Sequence, residues 1–429
     1  MGEPHHWIFA APSGTAKLAI VAMTLQDGKR APTDDAAAIE VAVVEGIDQV
    51  AREQWNALVG ADDSPFVDWD WLFAMEHSKS AARASGWAPC HLAIREGKER
   101  RLIAACPLYL KGHSMGEFVF DHGWADAAAR AGVRYYPKLL AAVPFTPHSG
   151  RRFLTAPDVD RPRMVAALGR ALVQLCADNR LSSVHVNFCL PDEAAALSRL
   201  GFLERLGYQY HWSNAGFTAF DDYLGALKSK RRYAVRHERA ALVAQGVTIK
   251  VFAGEEIPDA IFGPMFDLYL ATIDKLYWGR QYLTREFFAA MRRRFKRYVC
   301  LICAYRGHKL IAGTFNLQKS GVLYGRYWGC FEEVKYLHFN VCYYAAIEHC
   351  INNGMLRFEP GAGGEYKWLR GFDPALTYSA HFVAHDGLQR AVSSFLARER
   401  REVEAWVAEG HERSQLKAPP ASDTETEAQ

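Results

Sequence analysis

The sequence predicts an α/β (α+β) chain of two tandem domains, each a mixed, mostly antiparallel sheet flanked by helices. The phrase RLIAACPLYLK at residues 101–111 returns as KLIAGTFNLQK at residues 309–319. Each copy follows an apolar run and a charged turn, 90–95 with 96–100 and 299–305 with 306–308, the pattern of a β-hairpin. Each is followed by an aromatic strand (118–120, 323–328), a long helical stretch and a short strand (183–188, 357–360). A fixed order of elements repeated at this scale indicates a duplicated domain.

Taken in order, residues 1–37 are rich in Ala, Pro and Asp and read as a disordered extension. The first domain, 38–207, opens with a strand (38–46) and a short helix (47–58). Ser64 is placed to cap the next helix, with Pro65 in its first turn. After the hairpin at 90–110 comes a long irregular stretch, 111–157; loops of that length in compact domains are usually functional or disordered, and its aromatic and Pro content argues against disorder. A helix (163–179), a buried strand (183–188) and a helix (193–206) closing at Gly207 complete the domain.

Residues 208–220 read as a bridge into the second domain, 208–410. It starts with one basic helix, 224–245, stopped by Gly246. A strand (247–251), helices (259–275, 284–296), the second hairpin, a strand (323–328), a helix (339–352) and strands (356–360, 377–383) follow. An amphipathic helix, 388–408, ends the fold, and 411–429 form an acidic, disordered tail.

Composition narrows the function. A length of 429 residues with 50% apolar content fills two cores. A net charge of +3 is too small for a general nucleic-acid or membrane field, so an anionic partner must be met by a local patch. Nine cysteines without pattern indicate a reducing compartment. Cys300 and Cys303 lie three apart in a strand-like run and so face opposite sides, which argues against a metal. No apolar run approaches the ~20 residues that span a bilayer, and no basic leader with a cleavage site is seen. A cytoplasmic protein is expected.

The stretch LRFEPGAGGEYKWLRGF, 356–372, runs a strand into a glycine loop whose backbone can approach a ligand closely. Glu359 or Glu365 there can take a proton from an attacking amine, and Lys367 and Arg370 can hold a phosphate or an oxyanion. On the basic helix, Lys228, Arg232, Arg236 and Arg239 fall on one face and together suit a polyanion, with Glu238 off that stripe. His122, Trp124, Asp126, Tyr135 and Tyr136 in the first-domain loop offer a second centre, a histidine with a carboxylate to orient it. Trp278 with Arg280, and Arg326 with Trp328, mix aromatics with cations and suit an apolar chain or a stacked base; His338 lies close by in sequence. Walker, HExxH and G-x-S-x-G motifs are missing, which weakens the NTPase and hydrolase classes.

SPFVDWDWL, AACPLYLKGHSMGEFVFD, KRRYAVRHERA, YWGRQYLTREFF, AGTFNLQKSGVLYGRYWGC and RFEPGAGGEYKWLRGF, in that order, resemble the FemAB-like family of predicted N-acyltransferases over roughly residues 38–400. The resemblance implies two GNAT-type domains in tandem. It also implies acyl transfer from an activated thioester or ester to a small-molecule or peptide amine. No tightly bound cofactor or metal is expected; the donor would be acyl-CoA, acyl carrier protein or aminoacyl-tRNA, with RNA a partner only in the last case. One segment departs from ordinary GNAT enzymes. Where they carry a glycine-rich loop for the CoA pyrophosphate, this chain reads CFEEVKYLHF, and Glu332 and Glu333 would repel phosphates. The competing reading is a degenerate GNAT pair that only binds an anionic ligand or peptide.

Overall fold

Asp68 starts the first long helix by accepting a hydrogen bond from the Asp70 backbone at 2.9 Å, while Ser64, expected in that role, makes no cap bond. The computed structural model describes residues 39–275 and 280–417. The extension 1–37, Trp278 and most of the acidic tail therefore lie outside the described residues.

The first half runs β1 (Ile39–Val44), α1 (Arg52–Asn56), α2 (Trp69–His77), β2 (Trp87–Pro89), β3 (His91–Glu96), β4 (Arg101–Cys106) and β5 (Leu108–Lys111). It continues with α3 (His122–Arg130), β6 (Lys138–Ala141), β7 (Leu154–Thr155), α4 (Arg161–Asp178), β8 (Ser183–Cys189), α5 (Pro191–Ser198) and β9 (Leu203–Ser213). The second half runs α6 (Phe220–Ala226), α7 (Ser229–Ala244), β10 (Val247–Ala253), α8 (Phe262–Lys275), α9 (Arg285–Ala290), β11 (Val299–Arg306), β12 (Lys309–Lys319) and β13 (Val322–Cys330). It closes with α10 (Leu337–Phe339), α11 (Ala345–Asn352), β14 (Arg357–Glu359), β15 (Asp373–Val383) and α12 (Asp386–Glu412).

Both hairpins form, β3 with β4 and β11 with β12. The repeated phrase behaves differently in its two copies. The second is one continuous strand, β12. The first breaks at Pro107, which has no N–H to give a ladder, so β4 stays in a four-stranded sheet and β5 joins an eleven-stranded one. The expected strand at 118–120 does not form: Phe118 is a bend with φ +60°, and the place of the third strand is taken by β6. The stretch 111–157 is correspondingly less irregular than expected, holding α3, β6 and β7.

The eleven-stranded sheet has the order β10-β11-β12-β13-β14-β9-β15-β8-β6-β5-β2. Each half supplies one parallel pair, β6 with β8 and β13 with β14. Between these pairs the halves exchange strands. β9 follows β8 in the chain but pairs with β14, while β15 follows β14 but pairs with β8. The two exchanged strands pair with one another along nine residues at the centre of the sheet. Residues 203–206, expected at the end of a helix, and much of the expected bridge are thus a central strand.

The core also crosses the halves. Phe66, Trp71 and Met75 share one apolar cluster with Phe287, Phe295 and Phe315, and Trp71 meets Phe287 edge-on at 5.3 Å. Cys300 and Cys303 are buried in two different clusters, on opposite faces of β11.

Candidate active site

The site begins where β13 leaves β14. Along β12 and β13 the register passes from Phe315↔Tyr327 to Asn316↔Gly325, so Arg326 is an extra residue, a β-bulge. β13 and β14 stay paired only as far as Tyr324↔Glu359. Beyond that, Pro360 leads into a loop in which Gly361, Gly363 and Gly364 have positive φ. Gly325 is required here: a Cβ would sit 3.0 Å from the Pro360 Cα and 3.2 Å from its carbonyl.

Glu359, on β14, is buried at the centre of this junction. His148, from the first half, places Nδ1 3.1 Å from the Glu359 carboxylate and Nε2 3.2 Å from the Gly325 carbonyl oxygen. Arg357 reaches the other carboxylate oxygen at 2.8 Å, and His211 Nε2, from β9, lies 4.0 Å away. Burial pushes the Glu359 carboxyl up, but the His148 hydrogen bond and the charges of His211, His148 and Arg357 outweigh it and hold the group at about 2. Burial also pushes the His148 ring down, against its bond to Glu359. A neutral imidazole can donate only once, and both ring nitrogens here face acceptors. Burial outweighs the carboxylate and holds the ring at about 4, so the neutral imidazole donates to one of the two acceptors, and only the imidazolium would satisfy both.

The loop carrying His148 is fastened to both halves. Arg326 donates to the Phe145 carbonyl, Gln209 Nε2 to the Pro147 carbonyl at 2.7 Å, and Arg152 to the His148 carbonyl at 2.7 Å. Neither His148 nor His211 was placed in the site from sequence, because their partners lie far along the chain; Glu359 and His148 are 211 residues apart.

Of the four residues expected to be catalytic, two face this junction. Lys367 is buried with Nζ 2.7 Å from the Gly361 carbonyl and no carboxylate beside it, and burial pushes it down to about 8. Arg370 is buried but committed to the protein. It donates to Tyr344 Oη at 2.9 Å, to the Tyr366 carbonyl at 2.9 Å and to Glu238, and its guanidinium lies 3.5 Å from the Phe339 ring centroid. Glu238 is therefore a structural partner rather than an idle position. Glu365 is exposed.

Trp328 and His338 meet edge-on at 5.2 Å, and His338 also contacts Phe339, Tyr343 and Tyr366. Arg326 packs over Phe66 and Tyr327 as it holds the Phe145 loop. Arg280 is exposed.

The expected basic helix is two helices. Leu227 and Lys228 are extended: the Lys228 N–H donates to the Gln415 carbonyl at 3.0 Å, while its own carbonyl accepts from the Arg231 and Arg232 N–H groups and starts the second helix. The expected cationic stripe is also largely internal. Arg232 donates to the carbonyls of Gly225 and Leu227, and Arg239 pairs with Glu348 at 2.8 Å while lying 4.2 Å from the Phe220 ring. Arg236 remains exposed, 3.9 Å from Asp221. Glu332 is matched by Arg306 at 2.6 Å and Lys309 at 2.7 Å, so its charge is balanced within the hairpin.

The family model for FemAB-like proteins, of peptidoglycan biosynthesis and recognition, matches residues 46–418. The chain belongs to the FemAB-like family. Among solved structures, FemX is similar with a TM-score of 0.49 at 10% identity, covering 80% of this chain and 98% of that one. L-PGS from Bacillus licheniformis is similar with a TM-score of 0.47 at 7% identity, over 79% and 98%. A tandem GNAT protein from the clavulanic acid biosynthesis pathway gives 0.43 at 14% identity, over 81% and 99%. No curated protein matches the sequence.

The first half of this FemAB-like chain carries a related centre built from other residues than expected. His122 and Asp126 are exposed on α3 and make no contact with each other. Asp121 is the buried carboxylate instead: it accepts from Lys138 and from Tyr135 Oη at 2.6 Å. Lys138 also donates to Glu117 at 2.8 Å and to Ser114, whose hydroxyl meets Tyr136 Oη at 2.7 Å. Trp124 packs edge-on against His381 at 4.9 Å. His185 lies opposite Leu140 on the parallel pair, as Glu359 lies opposite Tyr324, and its partner His381 comes from the exchanged strand, as His211 does. None of the five expected first-half residues contacts Glu359 or Lys367.

Proposed function

We propose that the chain is an N-acyltransferase in which an amine attacks the carbonyl of an activated thioester or ester at the β13–β14 junction. The observation that carries this reading is the bulge at Arg326 beside Glu359. A bulge frees the backbone of the extra residue from the ladder, and a free main-chain N–H suits a carbonyl oxygen that gains charge. Glu359 supplies the fixed negative charge on which proton removal depends, and Lys367 supplies a positive one near the glycine loop. Nine free cysteines agree with a reducing compartment such as the cytoplasm. No described helix is long and apolar enough to cross a membrane.

Small molecules that co-purify with the protein, identified by mass spectrometry, supply candidate donors and acceptors for assay. Glu359→Gln keeps the shape and removes the charge, so the transfer rate should fall ~10²–10⁴-fold with little loss of substrate affinity. Near-normal turnover would overturn the assignment. The burial of Glu359, 2% exposed, favours the second reading, a site that binds an anionic ligand or peptide without chemistry; that reading predicts tight binding and no transfer.

A further inference from the structure

Glu359 and His148 are both enclosed, so neither touches a substrate directly. His211 differs from them. Its side chain is 13% exposed; Nε2 is enclosed, without a hydrogen-bond partner, on the Glu359 side, while Nδ1 is neither enclosed nor bonded. We propose that His211 is the catalytic base of the site, with Glu359 acting through it as the positioning residue. This rests on the acyl-transfer reading above. A carboxylate beside Nε2 fixes the proton there and leaves the Nδ1 lone pair free, as in other nucleophile–base–orienter arrangements. The 4.0 Å separation is about 1 Å longer than a charge-assisted hydrogen bond, a gap that a small ring movement closes.

In the step so assigned, the amine nitrogen forms a bond to the donor carbonyl carbon and its proton passes to His211 Nδ1. The bond from that carbon to the leaving sulfur or oxygen then breaks, and the proton passes to the leaving group or to solvent. The groups facing the ring are Glu359 and Arg357 from β14, Lys367 beyond the glycine loop, His148 behind Glu359, and Asp373 directly opposite His211 on β15. Burial and the two cations push the ring down; Glu359 pushes it up. The exchange of β9 between the halves is what brings this residue to β14.

Diethyl pyrocarbonate, which transfers an ethoxycarbonyl group to a neutral imidazole and releases ethanol and carbon dioxide, reads the ring without any acyl substrate. Applied to the whole protein and mapped by peptide mass spectrometry, it should modify His211 well ahead of the enclosed His148, His185 and His381. The pH–rate midpoint at His211 should fall by about one unit in Glu359→Gln, the loss of a neighbouring charge. A His211 that reacts no faster than the enclosed histidines, or a midpoint that Glu359→Gln leaves in place, overturns the proposal. The wild-type pattern alone decides the first point, so a variant that fails to fold does not rescue it. Because the reagent ignores acyl transfer, failure of the proposed reaction would show separately, as absent turnover with a reactive His211.

Discussion

Lys367 is a buried ammonium whose neighbours are carbonyl oxygens rather than acids, and its environment is testable through pH. Burial lowers its pKa from 10.5 to about 8. Between those values the unfolded chain keeps a proton that the folded chain has released, so this residue makes stability rise with pH across the window. Lys367→Met has no proton to release and should lack the rise. Urea denaturation at pH 8 and pH 10 should show the difference between wild type and variant growing in favour of wild type, by roughly 1–3 kcal/mol. A constant difference would mean that the amine is already solvated in the folded state. The same residue separates the two glycine-loop cations: Arg370 is saturated by Glu238, Tyr344 and Tyr366, whereas Lys367 retains only weak acceptors.

At the scale of elements, α7 shows how a charge run divides between packing and surface. Arg239 combines an ion pair at 2.8 Å with a ring contact at 4.2 Å, and both partners belong to the chain. Arg239→Ala should therefore cost about 1 kcal/mol of stability, read as a lower urea midpoint. Arg236→Ala, on the open side, should change stability by no more than ~0.5 kcal/mol. If Arg236→Ala instead raises the KM for an anionic substrate, the phosphate role survives at that one position. The hairpins, α4, β8, α8 and α12 were legible because each carries a sustained period or a clear cap. β9 was not. Glu204 and Arg205 look like an exposed helix face, but in the strand they pair with Arg400 and Glu399 of α12, while Leu206, Tyr210 and Trp212 turn inward. A charge explained by a partner nearly 200 residues away leaves no local trace. The glycine loop and Glu359 were visible as a local motif, whereas His148 and His211 reach the site only through the fold.

For the whole molecule, strand exchange governs how the halves depend on each other. Without residues 214–429, β8 and β9 both lose β15, and β9 also loses β14, leaving the centre of the large sheet with unpaired edges. Phe66, Trp71 and Met75 would lose the second-half aromatics that bury them, a loss of several large side chains at ~1.5–3 kcal/mol each. Net stability of a domain is only ~5–15 kcal/mol, so neither fragment should retain its fold alone. Fragments 1–213 and 214–429, produced separately, should lack cooperative unfolding transitions and expose apolar surface. Produced together they should associate, because the complementary strands and core faces are then both present. The intact chain should unfold in a single transition, with fluorescence and circular dichroism coinciding. Two separated transitions, or a fragment that unfolds cooperatively by itself, would mean that the exchanged strands and shared core contribute less than their burial implies. The candidate site would share that dependence, since His148 and His211 come from the first fragment and Glu359 and Lys367 from the second.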